Sequence, residues 1–258
     1  MSQRSGYAPG VPCWVDLSST DVEASVAFYG RVFGWRVETA DDPAAGGYGQ
    51  FTYDGKKVAG VGPVFAGDMP SAWNTYVATD DAAATADRVK NSGGTVVTEP
   101  MKVFDEGVMA VFQAPDQSYV SVWQPGEHKG AELVNEPVSF CWNELVTRDP
   151  AGAGRFCSAV FGWSPRPQET EGVRYTEWQA GDRSIAGMIE MSPDYPPRTP
   201  SHWMVYFAVA DLDETVRTAL EAGAAVLVDA MDSPPGRFAM FTDPQGASLS
   251  VIQLRETG

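Results

Sequence analysis

Apolar and polar positions run through this chain as two copies of one pattern. A short alternating stretch at 12–18 predicts a strand, and the same pattern returns at 140–146. Behind the first stretch, Val22, Val26, Tyr29 and Phe33 recur at helical spacing, and Thr20 stands three residues before Glu23 as in a capping box. Behind the second, Asp149 is a good N-cap and Pro150 suits the first helical position. Alternating segments with glycine turns follow at 48–54 with 57–64, and at 173–179 with 184–190. Further strands are predicted at 73–79 and 203–209. Helices follow at 81–92 and 211–222, closed by Gly93 and Gly223. Hairpins at 108–113 with 118–123 and at 237–242 with 248–253 end each copy.

The repetition extends to individual residues. Cys13, Trp14, Leu17, Phe28, Phe33, Gly34 and Trp35 are answered by Cys141, Trp142, Leu145, Phe156, Phe161, Gly162 and Trp163 at a constant offset. Downstream, YGQFTYDGKKVAGV answers YTEWQAGDRSIAGM, and GVMAVFQAPDQ answers GRFAMFTDPQG, with the offset drifting by one or two residues. Such drift marks a duplicated domain with small loop changes. The domains are placed at 10–126 and 136–256, joined by the polar, proline-bounded stretch QPGEHKGAELVNEP. Each copy reads as βαβββ twice over, four units in all, an α+β architecture with helices on one face of mixed strands.

Composition narrows the function classes. With 258 residues the chain suits two domains of ordinary size. A net charge of −16 creates a field that repels nucleic acid and anionic membrane, so neither is expected as a partner. The start, MSQRSGYAPGVPCW, lacks the apolar core of a signal peptide, and no stretch approaches the roughly 20 apolar residues of a membrane span. Three cysteines, Cys13, Cys141 and Cys157, form an odd and sparse set that argues for reduced thiols and a cytoplasmic location.

The motifs FYGRVFGW, VAGV, VATDD and APDQ, with AVFGW, IAGM and TDPQG in the second copy, resemble the vicinal-oxygen-chelate superfamily. That superfamily includes glyoxalase I, the bleomycin resistance proteins and the extradiol dioxygenases. The resemblance covers nearly the whole chain twice, and the tandem form is similar to actinobacterial glyoxalase-like proteins. It implies that each pair of βαβββ units curls into a half-barrel cup. It also implies three metal-ligand stations per cup: on the first strand, on the strand before the second helix, and on the last strand. Counting from Asp21, Asp81 and Gln117, and from Asp149, Asp211 and Gly246, these stations fall on Trp14, Asn74 and Ser121, and on Trp142, Met204 and Ser250. Neither set offers the carboxylates or imidazoles that a divalent ion needs, and an indole only donates. His128 falls in the linker. His202 stands two residues before Met204, and one imidazole does not make a site. No metal and no cofactor is therefore expected, and the chain carries no nucleotide fingerprint.

Strand alternation sets Asp16 and Ser18 beside Trp14, and Glu144 and Val146 beside Trp142. By analogy with the family, Asn74 with Tyr76 and Met204 with Tyr206 face inward, while Gln50 and Glu177 on the second strand add polar groups. Met101 and Met231 are read in the loop before the last hairpin as a flexible lip. Each cup is then an aromatic slot with an acid near its floor. Its expected occupant is a small molecule, planar aromatic or cationic, a metabolite or an antibiotic, which the protein binds, sequesters or modifies. Asp16 and Glu144 are the acid–base candidates, since burial beside an indole raises a carboxyl pKa. If the chain is an enzyme, a metal-free lyase, isomerase or hydrolase activity fits. Beside this reading stand a natural-product tailoring enzyme that uses Asp16 and Glu144 as acid and base, a lyase and an interaction protein with vestigial pockets, whereas a hydrolytic triad is not supported. A glyoxalase-I-like lyase acting on methylglyoxal-type adducts would, by family resemblance, want the metal. Tryptophans that merely fill the barrel would leave vestigial cups. A hydrolytic triad would need a histidine paired with Ser18, Ser121 or Ser250. The halves are expected to pair within one chain, giving a monomer. Whether each cup forms within one half or between halves is open at the level of sequence.

Overall fold

The computed structural model describes residues 3–39, 42–65, 67, 69–170 and 173–255. The first half runs β1 (Pro12–Ser19), α1 (Val22–Phe33), β2 (Arg36–Thr39), β3 (Gly49–Tyr53), β4 (Lys56–Pro63), β5 (Ala72–Ala78), α2 (Ala82–Asn91), β6 (Thr95–Val103), β7 (Gly107–Gln113) and β8 (Tyr119–Pro125). The second repeats it as β9 (Phe140–Thr147), α3 (Pro150–Phe161), β10 (Ser164–Thr170), β11 (Val173–Ala180), β12 (Arg183–Glu190), β13 (His202–Ala208), α4 (Leu212–Glu221), β14 (Ala225–Ser233), β15 (Gly236–Thr242) and β16 (Ser248–Leu254).

Among the described residues each α-helix starts on an aspartate. Asp21, Asp81, Asp149 and Asp211 each accept the backbone N–H three residues on, which satisfies a donor that the helix itself leaves unpaired. For α1 this corrects the capping-box expectation. Asp21 is the N-cap, and the Thr20 hydroxyl instead meets the Ser71 hydroxyl at 3.1 Å. The C-cap of α1 is Gly34 and that of α3 is Gly162, both in the left-handed region that glycine enters without a Cβ clash.

Each half forms one eight-stranded sheet, in the order β2-β3-β4-β1-β5-β8-β7-β6 and β10-β11-β12-β9-β13-β16-β15-β14. The antiparallel pair β1–β5, and its counterpart β9–β13, joins the two βαβββ units of one half. Each concave face is therefore built within a single half. The outermost strands β2, β6, β10 and β14 had no clear sequence signal. β6 is mostly exposed along its length and carries Pro100, tolerated at an edge because one side of the ladder is unpaired. Met101 and Met231 thus lie within β6 and β14, a correction to their placement in a loop. They pair with Met109 and Phe238 respectively.

The sheets turn their helix-bearing faces toward each other. Thr75 Oγ1 of β5 donates to Asn143 Oδ1 of β9 at 2.6 Å, α1 packs on α4, and α2 packs on α3. Trp35 and Trp163 follow α1 and α3 and insert into this interface. The Trp35 indole N–H donates to the Val138 carbonyl at 2.8 Å, and that of Trp163 to the Gly10 carbonyl at 2.5 Å, a reciprocal pair of bonds across the halves. Trp73 lies on the same side, with its N–H on the Tyr29 hydroxyl, which in turn donates to Asp243 of the other half at 2.9 Å. Because alternate residues of each strand are committed to this shared core, the concave faces look outward in opposite directions. No helix among the described residues is long and apolar enough to cross a membrane.

Candidate functional site

The concave face of the first half is assembled from cross-strand rows. Trp14 stands opposite Tyr76, and Tyr76 beside Ser121. Asp16 stands opposite Asn74 and beside Gly60, which pairs with Gln50. Asp16 is the hub. Its Oδ1 accepts from Asn74 Nδ2 at 2.8 Å, and its Oδ2 accepts from the Tyr76 hydroxyl at 2.8 Å and the Tyr48 hydroxyl at 3.3 Å. Asn74 also donates to Ser18 Oγ at 2.9 Å, and the Trp14 N–H donates to Tyr48 at 3.1 Å. Burial pushes the Asp16 carboxyl above its ordinary range, opposed by the hydrogen bonds from Asn74, Tyr76 and Tyr48.

Two side chains complete this cup that the sequence had not placed there. Tyr48 reaches in over Gly60, where an added Cβ would overlap its hydroxyl. His128, from the stretch read as a linker, folds back so that its ring meets Trp14 edge-on at 4.4 Å and Trp123 at 5.5 Å. The Trp123 N–H donates to the His128 carbonyl at 2.8 Å. Only 6% of His128 is exposed, and its Nε2 has no hydrogen-bond partner. Burial, with the nearby Lys57 charge, depresses its pKa to about 4, so the ring sits neutral between the indoles. Tyr48 could have been found as the tyrosine common to YGQF and YTEW. Nothing in the polar sequence around His128 signals its burial.

The second half repeats the scaffold with different chemistry. Trp142 stands opposite Tyr206, beside Ser250, and Glu144 stands opposite Met204, beside Gly187, which pairs with Glu177. The Trp142 N–H donates to the Tyr175 hydroxyl at 2.9 Å, and Tyr206 donates to Glu144 Oε1 at 3.1 Å. Burial raises the Glu144 pKa, opposed by hydrogen bonds from Tyr206 and Tyr175. Glu177 accepts from Gln168 at 2.7 Å. His202 shares the concave row of Val146, with its Nδ1 2.9 Å from the Pro200 carbonyl. Around Glu144 the surroundings are apolar: Val146 and Met204 replace Ser18 and Asn74, and Met191, Tyr195 and Met240 join the same cluster. Trp142 is half-buried, whereas Trp14 is 3% exposed. Met101 and Met231 are each 49% exposed, so neither is enclosed by its cup.

A Cβ on Gly187 would overlap the Tyr175 hydroxyl and come within 2.9 Å of the Trp142 indole nitrogen. Gly187→Ala is expected to dislodge Tyr175 and lower stability by about 1–3 kcal/mol. Urea unfolding reads this directly, and an unchanged midpoint would mean that the tyrosine is not seated there.

The family's metal stations can be tested on their donors. They present indole, amide and hydroxyl in the first half, and indole, thioether and hydroxyl in the second. The one carboxylate near each set already accepts from neutral donors. Among the described residues no three of His, Cys, Asp and Glu converge as a metal would require. These donors do not fit a divalent cation.

Two family models match the chain. The model of the Glyoxalase/Bleomycin resistance protein/Dioxygenase superfamily covers residues 13–122, and that of a Glyoxalase-like domain covers residues 139–252. Among similar proteins, the anthracycline biosynthesis protein DnrV of Streptomyces peucetius is 43% identical over 97% of this chain and 95% of its own. The protein CFP32 of Mycobacterium bovis is 40% identical over 98% of both chains. Among solved structures, the Mn(II)-bound glyoxalase of Novosphingobium aromaticivorans aligns with a TM-score of 0.66 at 17% identity, over 96% of this chain and 84% of that one. The 2,2',3-trihydroxybiphenyl 1,2-dioxygenase of Sphingomonas wittichii strain RW1 aligns at 0.65 and 13%, over 96% and 92%. At such identities the likeness is one of fold alone.

Proposed function

The chain belongs to the glyoxalase/bleomycin resistance protein/dioxygenase superfamily, and we propose that it binds a planar aromatic small molecule on a concave face without a metal ion. The observation that carries this reading is the second concave face. There a half-buried indole, two phenols, the Ser250 hydroxyl and one buried carboxyl stand among apolar side chains. Apolar walls with a few placed polar groups are the composition of ligand sites. Indole and phenol rings hold flat aromatic rings by offset or edge-on contact, each worth about 0.5–1.5 kcal/mol beyond the area buried. Two relatives at 43% and 42% identity are named for anthracycline biosynthesis, and ring systems of that class are flat and aromatic. The carboxyls, buried beside hydroxyl donors, are placed to hold or move a proton on an oxygen of the occupant, so a metal-free tailoring step is compatible with the same site. A glyoxalase-type lyase is disfavoured because its enediolate would lack the cation that stabilises it in metal-using relatives.

Two measurements test the reading. Elemental analysis of purified protein is expected to give far less than one equivalent of Zn, Ni, Fe or Mn per chain. Titration with hydroxylated anthraquinones is expected to quench tryptophan fluorescence saturably. Silence across a broad panel of flat aromatics, or chelator-sensitive turnover of the glutathione–methylglyoxal hemithioacetal, counts against it.

A further inference from the structure

The two cups share a backbone and a repeat, yet they are filled differently. In the first, a ring supplied by the chain itself already occupies the aromatic slot. His128 lies 4.4 Å from Trp14 at an interplanar angle of 82°, and Trp123 closes on it from 5.5 Å. The segment that delivers it is tied down on both sides: Ala131 N–H donates to the Cys13 carbonyl at 2.8 Å, and Glu132 N–H donates to the Lys57 carbonyl at 2.8 Å. The acid beneath is saturated too, since both oxygens of Asp16 accept from Asn74, Tyr76 and Tyr48. A ligand entering here would have to expel His128 and compete for an acid that already has three donors.

Among the described residues the second cup has no counterpart of His128; Tyr195, from the connection between β12 and β13, joins its apolar cluster instead. Among the described residues no aromatic ring packs on Trp142, although Trp142 holds the position of Trp14. Ile252 stands where the first cup has Trp123, and Phe238 where it has Met109. Glu144 accepts from Tyr206 and has Met204 opposite it in place of an amide donor.

We propose that the cups are unequal: the second is the ligand site, and the first is closed by His128, an internal stand-in for the ligand's ring. This rests on the binding reading above and deepens it in two ways. It gives a stoichiometry of one ligand per chain. It also gives the occupant a chemistry: a flat aromatic whose edge carries a hydroxyl or carbonyl oxygen, held by Trp142 on its ring and by Glu144 with Tyr175 at that oxygen. Val146 and Met204, in place of Ser18 and Asn74, leave Glu144 as the buried carboxyl among the hydroxyls of Tyr175, Tyr206 and Ser250, so Glu144 sets the preference for oxygenated rings.

The test is equilibrium dialysis of the full chain with 2,6-dihydroxyanthraquinone, and with its 2,6-dimethoxy counterpart as the capped control. The wild type is expected to bind one equivalent. Trp142→Ala is expected to weaken binding at least tenfold, and Trp14→Ala less than twofold. Glu144→Leu is expected to lose most of the preference for the dihydroxy over the dimethoxy compound. His128→Ala is expected to open a second site, giving two equivalents. If that variant fails to fold, the contrast between Trp14→Ala and Trp142→Ala carries the test. Two equal sites in the wild type, equal effects of the two tryptophan variants, or a folded His128→Ala that still binds one equivalent would overturn the inequality while leaving the binding reading intact. No binding of either compound by the wild type would overturn both.

Discussion

Trp35→Ala is expected to lower the folding free energy by about 3–5 kcal/mol, the range for deleting a large aromatic from a packed core. Trp35 is 3% exposed, and its ring centroid lies 4.8, 5.0 and 5.3 Å from those of Phe33, Phe51 and Phe207, the last from the other half. Its N–H is the donor to the Val138 carbonyl. The variant therefore opens a cavity at the junction of the halves and strips a buried carbonyl of its partner. Both costs fall on the interface between the halves. Trp35→Phe separates the two contributions. It keeps most of the volume and is expected to cost only about 1–2 kcal/mol, chiefly the lost hydrogen bond. Chemical denaturation followed by far-ultraviolet circular dichroism measures both. A loss below about 1 kcal/mol for the alanine variant would show that the halves do not pack through Trp35. A biphasic unfolding curve would show that they had become independent.

The second large effect concerns Asp16, and its sign depends on pH and on the replacement. Asp16→Ala leaves the Tyr76, Tyr48 and Asn74 donors without their acceptor in a buried site, at a cost of about 3 kcal/mol. Asp16→Asn preserves shape and an acceptor oxygen but cannot ionise. The folded-state pKa of Asp16 is raised, so the folded chain holds this proton more tightly than the unfolded chain does. The stabilising contribution of the group is then fully present below the unfolded pKa and is lost as pH rises through the folded pKa. Relative to wild type, Asp16→Asn is thus expected to gain stability progressively as pH climbs from about 4, near the ordinary carboxyl pKa, toward neutrality. Glu144 shifts in the same direction but is common to both proteins, so it cancels from the difference. A difference in unfolding free energy that stays flat with pH would show that Asp16 is not desolvated as placed. A difference that falls with pH would show that its ionised form is the stabilised one.

Much of the fold was legible because it was written twice. The constant offset from Cys13 to Cys141 and from Trp35 to Trp163 exposed the duplication. The central strands β1 and β9 were found by alternation, and β5 and β13 from the matching segments of the repeat. The edge strands escaped because little of their length is buried, so no apolar face imposed a period on β6 or β14. Strand parity made legible that Asp16 shares a face with Trp14, while the inward facing of Asn74 and Tyr76 was implied by the family resemblance. Tyr48 and Tyr175 were legible from neither. Their reach depends on Gly60 and Gly187 lying opposite them on the neighbouring strand, a juxtaposition set by register.

What the sequence determined by itself is local and periodic: the repeat, the Asp149 cap of α3, and the shared face of Trp14 with Asp16 and of Trp142 with Glu144. These follow from spacing within one segment, and so they survive without knowledge of the partner. Tertiary structure alone decided that each cup belongs to one half, that Trp35 and Trp163 exchange reciprocal hydrogen bonds across the interface, and that His128 turns from a polar stretch into the first cup. Those outcomes depend on which distant surfaces meet. The free energy that selects them comes from desolvating rings against one another, and no run of neighbouring residues encodes that meeting.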